Sequence, residues 1–495
     1  MKKTIALTLL LFSFSQSIIG QGFNSTWLVG YESSFGVPFG VTKLEFTNST
    51  LTVSYNPIDM YFGVTMGVAN NRNGDLQFYT NGIYIANRNN DTMSNGNGLN
   101  PSSYTTSNNM YGLDIPQQNM ILQFPNDSTK YYLFHCTIDD DAVDILTKKI
   151  YSDVIDMALD SGRGFLDTKN QILINDRFVF GRLTACKHAN GRDWWLFAYG
   201  FQNRQVYRWL ITPYGISPPN IQLWMINRDN WAGAFIFSPD GTKAVYHGNA
   251  QGTEIYDFDR CSGTFSNGVY IPMYDSSGAG GAAISPNSRY LYINCIDSLW
   301  QYDLTASNIA ASEIFIDKYN GDVDSLFGLP TPFVLQALAA DGKIYMATGN
   351  GTRYYHVINY PDSAGLACDF VQKGLQIPTI KYITVPNFPN YYLGADTNSI
   401  CDSLSHIGLE EKEKIVMTVF PNPVSSGGTV SLQYKTITQE GKIDLYDVNG
   451  RLVKQYYVSP YTSMYHLKLP ALKTGMYLLR MESGGRAGSH KVVVE

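Results

Sequence analysis

LTACKHANGRDWWLFAYG, residues 183–200, carries the pattern that decides the fold: a tight polar turn, Asn190-Gly191, followed at once by a strand dense in aromatic residues. Turns of this kind need positive φ, which asparagine and glycine reach at little cost, and they join antiparallel strands. The same pattern returns along the chain. It appears as NGDLQFYTNG from Asn73, NDSTKYYLFHC from Asn126, DGTKAVYHGN from Asp240, NSRYLYINC from Asn287 and DGKIYMATGN from Asp341, at steps of roughly 47 to 64 residues. Propeller blades repeat at about 40–50 residues.

Neighbouring strands are legible around the clearest copies: AFIFSPDGTKAVYHGN is followed by GTEIYDFDRCSG, and GAAISPNSRYLYINC by SLWQYDLTAS. Each turn is expected to join the inner two strands of a four-stranded blade, and no blade buries both faces without its neighbours. Six turns mark six blades. WLVG, GVTKLEF and LTVSY near the start, together with VPNFPNYYL at 385–393, complete a seventh if the late strand joins the early ones. The expectation is therefore all-β, a seven-bladed β-propeller, with six or eight blades left open by an irregular stretch from Ser107 to Asn175. Side chains alternate along a strand, so Trp194 and Leu196 should fill one inter-blade seam and Trp195 and Phe197 the other.

Composition agrees with strands: 14% aromatic residues, 35 tyrosines, 44 glycines and only 16% charged residues. The formal charge of -6 is spread over interspersed acids and bases, which excludes a phosphate-binding field and with it nucleic acid. Residues 1–20, MKKTIALTLLLFSFSQSIIG, have the basic start and short apolar run of a secretory signal, with cleavage expected between Gly20 and Gln21. The propeller is assigned to residues 21–400 and a polar, then charged, linker to 401–418. Residues 419–495 alternate apolar positions around Asn-Gly and Gly-Gly turns, the pattern of a small immunoglobulin-like β-sandwich.

That last stretch resembles the type A sorting domains of type IX secretion. The residues that carry the resemblance are Phe420-Pro421-Asn422-Pro423, Leu445 to Arg451 with Asp447 and Gly450, Leu472 to Tyr477 with Gly475, and Lys491-Val492-Val493-Val494. The resemblance implies export by the type IX machinery from a Gram-negative cell, cleavage before Val419 by a sortase-like protease, and either release or attachment to surface lipopolysaccharide. Residues 60–393 resemble the propellers that precede such signals in gliding and surface-living bacteria. GDLQFYTNGIYIANRNNDTMSNGNGL, RLTACKHANGRDWWLF and SPDGTKAVY carry that likeness, which brings no catalytic residues with it.

The reactive residue types need weighing one by one. Cys186 and His188 would make a nucleophile and base, since a thiolate needs a nearby base or cation, yet no third orienting group is present. Packing of Cys186 as a small apolar residue is the plainer reading. Asp139, Asp140, Asp141 and Asp144 form the densest carboxylate group and are weak calcium candidates, without the spacing or glycine of a calcium loop. No other metal and no cofactor is expected. Seven histidines show no zinc-binding spacing, and neither a serine-hydrolase elbow nor a phosphate loop occurs. Six cysteines leave the disulfides undetermined; Cys368 with Cys401 is the pairing that would tie the propeller's end down before the linker. Trp224, Trp231, Tyr354, Tyr355, Tyr391 and Tyr392 are the aromatic residues considered for a recognition face, against core packing.

Two functions follow as expectations. The first is a non-enzymatic surface or secreted protein for binding, adhesion or scaffolding, with an extracellular protein or glycan as ligand. Its alternative is an extracellular propeller enzyme, a polysaccharide or ester hydrolase or lyase, with carboxylates meeting at the central channel.

Overall fold

A computed structural model describes residues 22–47, 50–139, 144–229, 233–273, 280–402, 415–437, 439–448, 450–484 and 486–495. The expected signal segment with Gly20 and Gln21, and also Asp140, Asp141 and Trp231, lie outside them. The chain divides into two compact units between Asp402 and Ser403.

The first unit is a seven-bladed β-propeller. Its first blade has three strands, the second and third join into one eight-stranded sheet, the fourth has five strands, and the fifth to seventh have four antiparallel strands each. The innermost strands of blades two to seven are Gly67–Asn70, Asn119–Gln123, Thr184–Lys187, Gly233–Phe237, Gly280–Ile284 and Gln336–Leu338. Every repeated polar turn follows one of these and leads into the second strand of its blade, so all of the turns lie on one face.

Blade four shows why the aromatic strand is placed there. Trp194, Leu196 and Ala198 pack with Met120, Leu122 and Phe134 of blade three. Trp195, Phe197 and Tyr199 pack with Phe235, Tyr246 and Phe258 of blade five. The pleat thus divides consecutive rings between two seams, as the alternation predicts.

The irregular third blade has a structural cause. Its outer strand, Phe165–Phe178, is long and bulged, and Phe165 pairs in parallel with Ser94 of blade two. Outer strands of two blades therefore meet edge to edge, which covers both from unwanted pairing. A short helix, Ser103–Ser107, sits in the connection between the two blades.

Closure of the ring differs from the expected joining of strands. Residues 382–393 form no strand, and Thr26–Gly30, Val41–Thr47 and Thr50–Asn56 remain a three-stranded sheet. The late segment instead threads the channel: the Thr384 hydroxyl reaches the Phe62 and Gly63 carbonyls, and Val385 and Phe388 pack on the core of the first blade. Two prolines, Pro386 and Pro389, remove N–H groups that a ladder would use.

The disulfide also corrects the expected pairing. Cys401 is bonded to Cys261, with 5.5 Å between the Cα atoms, while Cys368 is a free thiol. Cys261 lies in the turn after Gly252–Asp259, on the face where the late segment emerges. Cys368 is fully buried in the apolar seam of blades six and seven, among Tyr292, Phe333 and Ile358, out of the tail's reach. Within the stretch 401–418 expected as a linker, Cys401 is held by this bond and the strand Met417–Phe420 begins.

The second unit is a β-sandwich. One sheet holds Met417–Phe420, Thr429–Tyr434 and Met464–Lys468; the other holds Leu452–Val458, Gly441–Tyr446, Gly475–Ser483 and Arg486–Val494. Alternate residues of both, including Leu432, Ile443, Leu467, Leu479 and Val492, form its core. Among the described residues no helix is long and apolar enough to cross a membrane.

Candidate functional site

Cys186 and His188 share a strand end without sharing chemistry. The Cys186 thiol is buried, and that burial pushes its pKa up to about 12, so it stays protonated. His188 is turned to its own neighbours: Nδ1 accepts the Asn190 N–H at 3.1 Å and Nε2 donates to the Cys261 carbonyl at 3.0 Å. Burial lowers the imidazole's pKa, which keeps it neutral in this role. Both ring nitrogens are occupied in holding a turn, and no base is left for a thiol.

The channel is largely filled by the chain's own late segment. Asn387 donates to the Asn119 and Leu183 carbonyls, each at 2.8 Å, and accepts from Gln117 at 3.0 Å. Tyr391 donates to the Ile121 carbonyl at 2.8 Å and packs edge-on against Trp194. Arg260 donates to the carbonyls of Lys187, His188 and Gly394, and the Asp396 N–H to that of Ala189. What remains of the channel is a cavity of about 510 Å³ between this segment and the inner strands of blades four to seven. Among the described residues its wall includes Gln117, Lys187, Gln336, Asn387 and Asn390 but neither aspartate nor glutamate. Burial lowers the Lys187 pKa to about 8, and its ammonium lies over the Trp194 ring at 3.9 Å.

The acidic group expected to be the best cation candidate is divided among other tasks. Asp139 is buried and accepts the backbone N–H groups of Lys148 and Lys149; Asp144 pairs with Arg177 at 2.6 Å. Among the described residues, no group of three or more His, Cys, Asp or Glu side chains is placed to hold a metal ion.

The aromatic residues singled out from sequence are mostly packing. Trp224 and Tyr355 are buried, the Tyr392 hydroxyl accepts the Phe23 N–H, and Tyr354 lies under the Lys373 ammonium. A different set reaches the surface. Tyr31 follows the strand Thr26–Gly30, Tyr61 precedes blade two, Tyr111 lies in the connection to blade three, and Tyr382 follows Phe370–Lys381. Tyr61 stands before an inner strand whose far end leads into the Asn-Gly turn, so this cluster occupies the face opposite the turns.

The rings form a continuous surface. Tyr31 and Tyr61 meet edge-on at 4.6 Å with their phenols hydrogen-bonded, and Tyr61 meets Tyr111 at 5.8 Å. Tyr111 is 55% exposed and Tyr382 39%. Asp114 is open to solvent as a residue, but its carboxyl end lies against the tyrosines, and that enclosure raises its pKa as it raises those of Tyr31 and Tyr61. Phe39 and Phe327 add an exposed apolar edge. No repeat marks these tyrosines in the sequence, since they come from four connections of unrelated length. Their one shared signal is position: each stands in a connection, outside the blade strands.

In the second unit the motif residues hold the terminal strand. Asn422 bridges the last strand in both directions, donating to the Lys491 carbonyl and accepting the Val493 N–H, each at 2.8 Å. The peptide bonds before Pro421 and Pro423 are cis. Asp447 closes a turn by accepting from Gly450 and Arg451, with Gly450 at φ 76°. Gly475 opens the strand Gly475–Ser483, and Tyr477, on that strand, donates to the Lys473 carbonyl at 3.0 Å.

Residues 418–495 match the family described as the secretion system C-terminal sorting domain. This unit is therefore a sorting domain of the type IX class, and it marks the chain for export to the cell surface or the medium. No curated protein matches the chain. Among solved structures, a periplasmic gluconolactonase from Pseudomonas aeruginosa aligns at 13% identity and TM-score 0.40, covering 73% of this chain and 99% of its own. A protein from Lactobacillus plantarum aligns at 12% identity and TM-score 0.37, covering 72% of this chain and 97% of its own. A protein from Desulfotomaculum acetoxidans aligns at 11% identity and TM-score 0.38, covering 70% and 96%.

Proposed function

We propose that this is an exported binding protein, in which a rigid propeller presents a tyrosine-lined face to an extracellular glycan or protein and the C-terminal domain serves as a cleavable sorting signal. The observation that carries the reading is the cluster of Tyr31, Tyr61, Tyr111 and Tyr382 on the face opposite the Asn-Gly turns. Such rings supply contact area and a polar tip while immobilising few torsions, which suits sugar faces and peptides alike. Asp114 among them adds an acceptor for a ligand hydroxyl or amide. Removal of the sorting domain by a sortase-like protease, with attachment to surface lipopolysaccharide or release, belongs to the same proposal.

The enzymatic alternative needs carboxylates from several blades at the channel. Among the described residues the cavity there is lined by carboxamides, prolines, small apolar residues and the Lys187 ammonium, with no carboxylate, which weighs toward binding. Glycan and protein arrays probed with the mature chain test the proposal. Binding that falls at least tenfold in Tyr61→Ala and Tyr111→Ala, with melting temperature kept, is the expected result. Array binding that both variants retain, or turnover of any offered polymer, refutes it.

A further inference from the structure

Asp114 is the acid within the tyrosine cluster, and phenols gather around it. Its Oδ1 and the Cε1 edge of Tyr61 both stand against Gly63, where a Cβ atom would meet them at 2.5 and 2.9 Å. Burial raises the pKa values of Tyr31 and Tyr104, and the nearby Asp114 charge adds to the rise. The Tyr104 hydroxyl also accepts the Asp114 N–H. Three phenols, those of Tyr31, Tyr61 and Tyr104, therefore lie around one carboxyl group, while Tyr111 and Tyr382 flank them.

Among the described residues this carboxyl group has neither an ion pair nor a hydrogen bond. Burial raises its pKa, so its charge loses water without a partner in return. The residue as a whole stays open to solvent, which leaves it within a ligand's reach. Phenol rings carry negative faces that attract a cation and repel an anion. A cation thus gains twice, from the carboxylate and from the rings. Its type follows from the same geometry. A quaternary ammonium has no N–H to give to a carboxylate whose acceptor positions are empty. A guanidinium fork needs both carboxylate oxygens in its plane, and Oδ1 is backed by Gly63. A primary ammonium is a compact charge that donates to a single oxygen, on a stem whose methylenes pack along apolar surface.

We infer that the tyrosine face holds a protein partner through a lysine side chain, whose ammonium pairs with Asp114 while its methylenes lie along the surrounding rings. This rests on the binding function proposed above and narrows its ligand from a glycan or protein to a lysine-bearing protein surface.

Ligand-observed NMR titration of the mature chain with a capped Gly-Gly-Lys-Gly-Gly peptide tests the inference, at physiological salt so that long-range attraction to the acidic chain is screened. Companion peptides carry Nε-acetyl-lysine, Nε-trimethyl-lysine or arginine in the same place. Saturable binding of the lysine peptide is expected, with the acetylated peptide about tenfold weaker, the effect of one hydrogen bond to a charged group. The trimethylated and arginine peptides should also bind more weakly than lysine. Asp114→Asn should weaken the lysine peptide about tenfold and leave the acetylated one nearly unchanged. Tyr61→Phe, which keeps the ring face, should retain binding, and Tyr61→Leu should weaken it about threefold; if the latter lowers the melting temperature, Tyr111→Leu takes its place. Absence of saturable binding by the lysine peptide overturns the inference. So does equal binding of the acetylated peptide, tighter binding of the trimethylated or arginine peptide, or indifference to Asp114→Asn. Array hits confined to glycans and lost in Tyr61→Ala leave the face a binding surface and overturn this inference alone.

Discussion

Breaking the bond between Cys261 and Cys401 should cost the propeller several degrees of thermal stability, and the size of the loss is calculable. The bond closes a separation of 140 residues. Chain-entropy reasoning, at about 4.7 kcal/mol for a 100-residue loop, gives about 5 kcal/mol for this one as an upper figure. With an unfolding entropy of about 2.1 cal/mol/K per residue over about 380 residues, that becomes a fall of about 6 °C. Native contacts around the tail persist in Cys401→Ser, since Arg260 still holds the Gly394 carbonyl and Ala189 still accepts the Asp396 N–H. The loss should therefore appear in the unfolded state.

Differential scanning fluorimetry of the mature chain, following the propeller transition with and without reductant, is the assay. Wild type with reductant, Cys261→Ser and Cys401→Ser should melt together, and the double variant should melt no lower. Cys368→Ser should keep the full response to reductant, because Cys368 is a free thiol. A wild-type transition indifferent to reductant refutes the reasoning, as does recovery of a peptide linking Cys368 to Cys401 from a non-reducing digest.

Further expectations concern single residues. Lys381 is fully buried against the Tyr355 ring and the Thr348 hydroxyl, and burial lowers its pKa to about 7 from 10.5. The unfolded chain then binds the proton more tightly, so stability rises with pH between about 7 and 10.5. Below pH 7 the buried cation costs roughly 3–5 kcal/mol. Lys381→Met should raise the melting temperature by a few degrees at pH 6, with the gain shrinking by pH 9; a lower melting temperature at pH 6 contradicts this. Cys186, with its thiol pushed up to about 12, should resist iodoacetamide at pH 8 in the native protein and react on denaturation, as mass spectrometry would read. Asn422→Ala removes both bonds to the terminal strand and should lower sorting-domain stability by about 1–2 kcal/mol in urea unfolding; an unchanged midpoint removes Asn422 from that role.

By itself the sequence determined the repeated unit, and the reason is local. Asn-Gly and Asp-Gly are needed wherever a tight turn takes positive φ, and alternating aromatic residues are needed wherever both faces of a strand are buried, so Asn190-Gly191 and Trp194 to Phe197 could be read without their partners. The sorting domain was legible for a similar reason: its motif residues, such as Asn422 and Asp447, make the turn and strand contacts of the sandwich itself.

Tertiary structure decided everything that depends on residues distant in the chain. Cys401 finds Cys261 because the late segment crosses the channel and emerges beside the turn of blade five, a path that no spacing encodes. Tyr31, Tyr61, Tyr111 and Tyr382 become one surface only when the ring brings four connections together. Turn and strand preferences act over a few residues, whereas contacts between distant segments are made by closure of the ring, which is why the fold could be read from the text and these contacts could not.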